Sequence, residues 1–156
     1  MLEIVSGDMF TLPFDIRVNP VNCAGVMGAG VALSFKRRYS EMFIAYKHAC
    51  FTGKLVPGKL HVWKTPDAWV INLPTKRHWR EPSTYAYVHD GLKALAEYLA
   101  TQGSVTVALP ALGCGLGRLE WPKIYDLITL HLKDSPAKIS VFEPRSLLKI
   151  RTGDRP

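Results

Sequence analysis

The chain has 156 residues, of which 47% are hydrophobic, and its 20 lysines and arginines outnumber 13 acidic residues to leave a formal charge of +7. That length suits one domain able to bury roughly 70% of its unfolded surface, so no disulfide or metal is required to hold it, and the positive excess favours an anionic partner. Cys23, Cys50 and Cys114 are odd in number and widely spaced, which argues against a disulfide framework or a zinc site. With no signal peptide and no apolar run of about 18 residues, a soluble protein of a reducing cytoplasm is expected.

The first apolar segments, "LEIVSG" and "DIRVNPVN", are short, β-rich and ended by Gly, Pro or Asn, and predict two strands. A glycine-rich bend, "NCAGVMGAG", leads into a helix at "VALSFKRRY". Ser40 is placed to N-cap a second helix through "EMFIAYKHACFTG", which Gly53 closes. "KLHVWKT" and "AWVINLP" predict a hairpin or neighbouring strands. Val88, Leu92, Leu95 and Leu99, at spacings of four, three and four, then form one face of a third helix. "SVTVALPAL" predicts a buried strand, "GCGLG" a second glycine loop, and "EWPKIYDLITLHL" a helix with Pro122 in its first turn. "KISVFEP" ends the pattern as a last strand. Residues 1–144 thus form the domain, and residues 145–156 a basic C-terminal tail or truncated linker.

Alternating strands and helices predict a three-layer α/β/α domain around a mixed, largely parallel sheet of about six strands. Ligands of such sheets bind beyond the carboxyl ends of the strands. Three unusual stretches leave strands at that edge: "NCAGVMGAG", "TKRHWR" and "GCGLG". Gly25, Gly28 and Gly30 match neither a dinucleotide fingerprint nor a P-loop. Two glycine bends on one edge nevertheless offer backbone N–H groups to an anion, and a diphosphate held between them is the natural occupant. Neither Cys23 nor Cys114 has the His or Asn company of a nucleophilic thiol, so both read as small buried side chains.

Together "VNPVNCAGVMGAGVALSFKRRY", "INLPTKRHWREPS" and "ALPALGCGLGRLEW" resemble macrodomains of the type found in DarG antitoxins, and more distantly the terminal ADP-ribose protein glycohydrolases of animals. The resemblance spans about residues 1–144. It implies ADP-ribose in a cleft over a six-stranded sheet, with Asp8 on the adenine amino group, Met9 contributing backbone, and Asn22 beside the distal ribose. It further implies that Val21, Gly30, Val31, Ala32, Thr75, Leu112, Gly113, Cys114, Gly115, Leu116 and Gly117 complete the ADP-ribose site. Lys76 and Asn22 are the implied catalytic pair, with no metal or redox cofactor. The activity implied is removal of ADP-ribose from a DNA base, thymidine in single-stranded DNA, by a monomer that counters a DarT-type ADP-ribosyltransferase toxin. Full-length members carry a C-terminal toxin-binding part. A non-catalytic ADP-ribose reader and a hydrolase of protein-linked ADP-ribose are the alternatives. In the animal relatives an aspartate follows the "GCGL" segment, where this chain has Gly117.

The residues around Lys76 carry their own chemistry. Attack by Lys76 on the ribose C1″ requires a neutral amine, and lowering its pKa from about 10.4 to about 7 costs on the order of 4.6 kcal/mol. Burial against Trp79 and repulsion from Arg77, His78 or Arg80 are possible sources. A protonated Lys76 that assists the leaving base is the other route, and the sequence leaves both open. Arg77, His78, Trp79 and Arg80 also combine phosphate-binding and base-stacking groups, as a single-stranded DNA contact needs.

Overall fold

The computed structural model describes residues 1–145; the rest of the expected tail, residues 146–156, lies outside the described residues. In chain order come β1 (Leu2–Val5), β2 (Ile16–Val21), α1 (Gly30–Arg38), α2 (Ser40–Phe51), β3 (His61–Lys64), β4 (Trp69–Pro74), α3 (Tyr85–Ala100), β5 (Thr106–Pro110), α4 (Trp121–Leu132) and β6 (Lys138–Phe142). The strands form one six-stranded sheet in the order β1-β6-β5-β2-β4-β3. Neighbours are parallel except β3, which runs antiparallel to β4 as the hairpin reading expects. Among the described residues no helix is long and apolar enough to cross a membrane.

Strand side chains alternate between faces, and both faces are covered, so each central strand supplies two cores. Ile71, Leu73, Val107, Leu109, Ile139 and Val141 pack under α3 and α4 with Val88, Leu92, Leu95 and Leu99. On the other face Val21, Val70, Ala108 and Phe142 meet Phe35 of α1 and Met42 and Tyr46 of α2. The four residues chosen from α3 by their spacing are all fully buried, each stabilising the fold by about 1.5–3 kcal/mol. Thr84 caps α3, its hydroxyl accepting from Tyr87 N at 3.1 Å. Gly91, unremarked in the sequence, lets α3 settle onto β4, because a Cβ there would lie 2.6 Å from Leu73 Cδ2.

One capping expectation is corrected. Ser40 is the first residue of α2, and Tyr39 occupies the cap position without a side-chain bond. The reason is spacing: α1 runs to Arg38, leaving only Tyr39 between the helices, and its N–H returns to Phe35 O at 2.8 Å. Gly53 closes α2 as expected, with φ +72°.

The order β5-β2-β4 sets the carboxyl ends of three parallel strands side by side. A buried amide pair, Asn19 Nδ2 to Asn72 Oδ1 at 3.0 Å, links β2 to β4 just below that edge. All three unusual loops therefore leave the sheet at one place.

Candidate active site

A cleft of about 1040 Å³ opens over this edge. It lies at the top of the usual range for ligand sites, about 300–1,000 Å³. A smaller hollow of about 300 Å³ at the amino ends of β2 and β4, around Asp15, Asp67 and Trp69, has neither a basic side chain nor a glycine loop. Among the described residues no cluster of three or more His, Cys, Asp or Glu could hold a metal ion.

Of the residues expected at the site, Asp8, Met9, Val21, Asn22, Gly30, Val31, Ala32, Thr75, Lys76, Gly113, Cys114, Gly115, Leu116 and Gly117 line the cleft, as do Trp79 and Arg80. Leu112 does not. Its side chain is fully buried in the core under α3 and α4, while its neighbours Ala111 and Gly113 line the cleft. Arg77 and His78 also stand outside the cleft lining. The Arg77 guanidinium turns to Tyr87, donating from Nε to its hydroxyl at 3.1 Å, while His78 accepts from Arg80 N at 3.1 Å and stacks on Trp79.

The first glycine loop is organised by Asn22, which is 6% exposed. Its Oδ1 accepts from Ala24 N at 2.9 Å, from Val26 N at 3.4 Å and from the Tyr46 hydroxyl at 3.0 Å. Its Nδ2 donates to Val26 O at 2.8 Å. The carboxamide thus holds the loop, leaving one amide hydrogen to turn toward a ligand. Gly25 packs toward Lys47 of α2, away from the cleft. Gly30, Val31 and Ala32 form the first turn of α1, where the cap residue Ala29 provides no side-chain bond. Their free N–H groups and the positive end of the helix favour an anion.

The second glycine loop is fastened by Ser83, a residue the sequence reading did not single out. Ser83 N donates to Gly117 O at 3.0 Å, and its hydroxyl bonds Thr75 Oγ1 at 2.9 Å. Thr84 N then donates to Thr75 O at 3.1 Å, and Leu119 N to Gly113 O at 2.8 Å. A Cβ on Gly117 would lie 2.2 Å from Ser83 Oγ and 2.6 Å from Gly113 O. Glycine is required there by close approach. Gly117→Ala is expected to destabilise the fold by about 1–3 kcal/mol through overpacking, lowering the melting temperature by about 2–4 °C per kcal/mol. Thermal unfolding followed by circular dichroism checks this, and an unchanged transition would refute it.

Lys76 leaves the end of β4 half-buried in the cleft. Nζ donates one long bond, to Trp79 O at 3.4 Å. Burial and then the Arg118 charge hold its pKa below the ordinary lysine value. This corrects the expected sources: Trp79 is 46% exposed and stacks with Arg80, and the cation acting on Lys76 is Arg118. No sequence signal marked Arg118 beyond its place after the second loop. Burial pushes the Cys114 thiol up to about 12 and the Cys23 thiol up to about 11, so at neutral pH both are protonated and poor nucleophiles.

At the other end of the cleft, Asp8 Oδ1 accepts from Phe10 N at 2.9 Å. The buried Arg17 secures this segment, donating to Met9 O at 3.2 Å and Leu12 O at 2.6 Å. Glu143 lines the same end. The Asp8 and Glu143 carboxylates thus lie near β1 and β6 with Arg145, whereas Lys76, Arg80 and Arg118 line the other end with Glu81.

The Macro domain family model matches residues 18–128. The chain is 41% identical over 150 residues to a DNA ADP-ribosyl glycohydrolase of Mycobacterium tuberculosis, covering 94% of this chain and 43% of that protein. It is 30% identical to a DNA ADP-ribosyl transferase–DNA ADP-ribosyl glycohydrolase fusion protein of Thermosipho africanus, covering 92% and 42%. It thus spans about two fifths of the length of these relatives. Among solved structures, the macrodomain of Mycobacterium tuberculosis DarG superposes with a TM-score of 0.88 at 39% identity, covering 92% of this chain and 98% of that one. Thermosipho africanus DarTG in complex with ADP-ribose gives 0.87 at 30% identity, covering 93% and 42%. With the family model matching residues 18–128 and the backbone superposing on a solved macrodomain, the chain belongs to the Macro domain family, and DarG macrodomains are members it resembles over nearly its whole length.

Proposed function

We propose that this chain is an ADP-ribosyl glycohydrolase that removes ADP-ribose from a modified DNA base, thymidine in single-stranded DNA, and opposes a DarT-type ADP-ribosyltransferase. The observation that carries the reading is Lys76, half-buried in the cleft between the two glycine loops, with burial and then the Arg118 charge holding its pKa below the ordinary lysine value. The similarity to DNA ADP-ribosyl glycohydrolases and to the transferase–glycohydrolase fusion supports the substrate and the partner.

In this reading the Asp8 end of the cleft receives the adenine, the α1 N-terminus and the 113–117 loop hold the diphosphate, and the distal ribose lies under Lys76. The neutral amine attacks C1″, forming a C–N bond as the bond between C1″ and the base nitrogen breaks. The departing base takes that electron pair and the proton released by the new ammonium. Water then displaces Lys76 from the sugar, releasing ADP-ribose and restoring the amine. Trp79 and Arg80 flank the exit, where an unstacked nucleotide can be received.

Release of ADP-ribose from an ADP-ribosylated single-stranded oligonucleotide, compared with aspartyl- or glutamyl-modified protein, tests the substrate. Release from the oligonucleotide at a rate at least about tenfold higher is expected. Cleavage of protein alone would favour the protein hydrolase, and binding without cleavage of either would favour a reader.

A further inference from the structure

Arg118 is, among the described residues, the one non-glycine with a positive φ, at 66°. Side chains other than those of Gly, Asn and Asp adopt this conformation at a cost, and such outliers concentrate where surrounding contacts enforce them at functional sites. Here the enforcing contacts are explicit. Arg118 N donates to Gly115 O at 3.1 Å, and its neighbours are pinned by the Ser83–Gly117 and Leu119–Gly113 bonds. Ser83 in turn bonds Thr75, the residue before Lys76. A continuous hydrogen-bonded chain therefore fixes the Arg118 turn relative to Lys76, and both side chains line one cleft. Among the described residues neither cation has a carboxylate within ion-pair distance.

We propose that Arg118 is a positioning residue for catalysis, a second cation held by this strained turn so that Lys76 meets the ribose as a free amine. The inference rests on the reading of Lys76 as the catalytic amine. Two effects act in one direction. The guanidinium opposes a second positive charge on Nζ. When a diphosphate enters, Arg118 can take up its negative charge, which would otherwise hold the proton on Lys76. The other charged or titratable groups of the cleft are Arg80 and Glu81 on the Lys76 loop, Cys114 on the second loop, and Asp8, Glu143 and Arg145 at the far end.

The sign follows directly. A lysine whose pKa lies below its ordinary value supplies neutral amine at lower pH, so kcat/KM should rise with pH through that value. Removing the Arg118 charge should move this limb to higher pH, with about a tenfold loss of neutral amine for each unit moved. The experiment compares Arg118→Gln, Arg118→Gly and Arg118→Lys on the full chain, using an ADP-ribosylated single-stranded oligonucleotide. Gln and Gly should both shift the limb upward, and Lys should keep it near the original. The Gly variant frees the backbone of strain, so its melting temperature should not fall. Independently of turnover, the pH dependence of Lys76 acetylation by acetic anhydride, read by peptide mass spectrometry, should show the same shift. Loss of activity in Gln and Gly at every pH, with both profiles unmoved, would overturn the proposal and leave Arg118 a structural residue. If Lys76→Ala remains active, the catalytic reading of Lys76 falls and the inference with it; an inactive Lys76→Ala with an unmoved Arg118 profile overturns the inference alone.

Discussion

Lys76→Ala is expected to release essentially no ADP-ribose from ADP-ribosylated single-stranded DNA, a fall of at least about a thousandfold, or on the order of 4 kcal/mol of barrier. Free ADP-ribose should still bind within about tenfold of the original affinity, or 1.4 kcal/mol. The separation arises because Lys76 is almost uninvolved in the fold. Its amine makes one bond of 3.4 Å, to a carbonyl on an exposed loop, so its removal leaves no costly buried orphan. The two glycine loops and the Asp8 end of the cleft are untouched. Single-turnover release and calorimetric binding measure the two halves. Borohydride added during turnover should also reduce a ring-opened imine and leave ADP-ribose fixed to Lys76. A fully active alanine variant would end the assignment.

Asn22→Ala should act quite differently, through stability and binding together. The substitution deprives Ala24 N, Val26 N and Val26 O of their partner, while the Tyr46 hydroxyl keeps its 2.7 Å bond to Asn22 O. These groups are only part-buried, on the exposed residues Ala24 and Val26, so each costs about 1 kcal/mol, the low end for an orphaned group. A net loss of about 3 kcal/mol is expected, or roughly 6–12 °C in melting temperature. ADP-ribose affinity should fall as well, because the loosened loop leads into the first turn of α1. Asn22→Asp, which keeps the acceptors and turns an oxygen toward Val26 O, should fall between the two. An asparagine acting only in chemistry would instead lower kcat at constant melting temperature, so thermal unfolding beside single-turnover kinetics distinguishes the roles.

The contrast between these two residues shows what a sequence can disclose. Strands and helices were legible because their signals are local: alternation and apolar runs for the strands, and the spacing of Val88, Leu92, Leu95 and Leu99 for α3. The three loops were legible as a group because a parallel sheet puts the exits of β2, β4 and β5 on one edge. Lys76 stands out because it lies two residues past the end of a buried strand. Ser83 and Gly117, by contrast, meet only in the fold, and nothing in "EPST" announces a clasp on a loop 34 residues later, by 117 − 83. Tyr46 had a faint signal, sharing a helical face with Met42 and Ala49, but its target was hidden. Arg118 carries no such signal, because backbone strain has no composition. Any side chain at position 117 would collide with Ser83 Oγ and the Gly113 carbonyl, so a carboxylate cannot simply be placed at this point of the loop.

The sheet order has one more consequence. β2, β4 and β5 are interior strands, each hydrogen-bonded on both sides, whereas β1 and β3 form the edges. Interior strands open last when a domain fluctuates. Fraying of β3 leaves the cleft untouched and fraying of β1 reaches only its Asp8 end, so the strands beneath Lys76 should lose their order only with the whole domain. Catalytic competence and cooperative unfolding are thereby joined in a single transition.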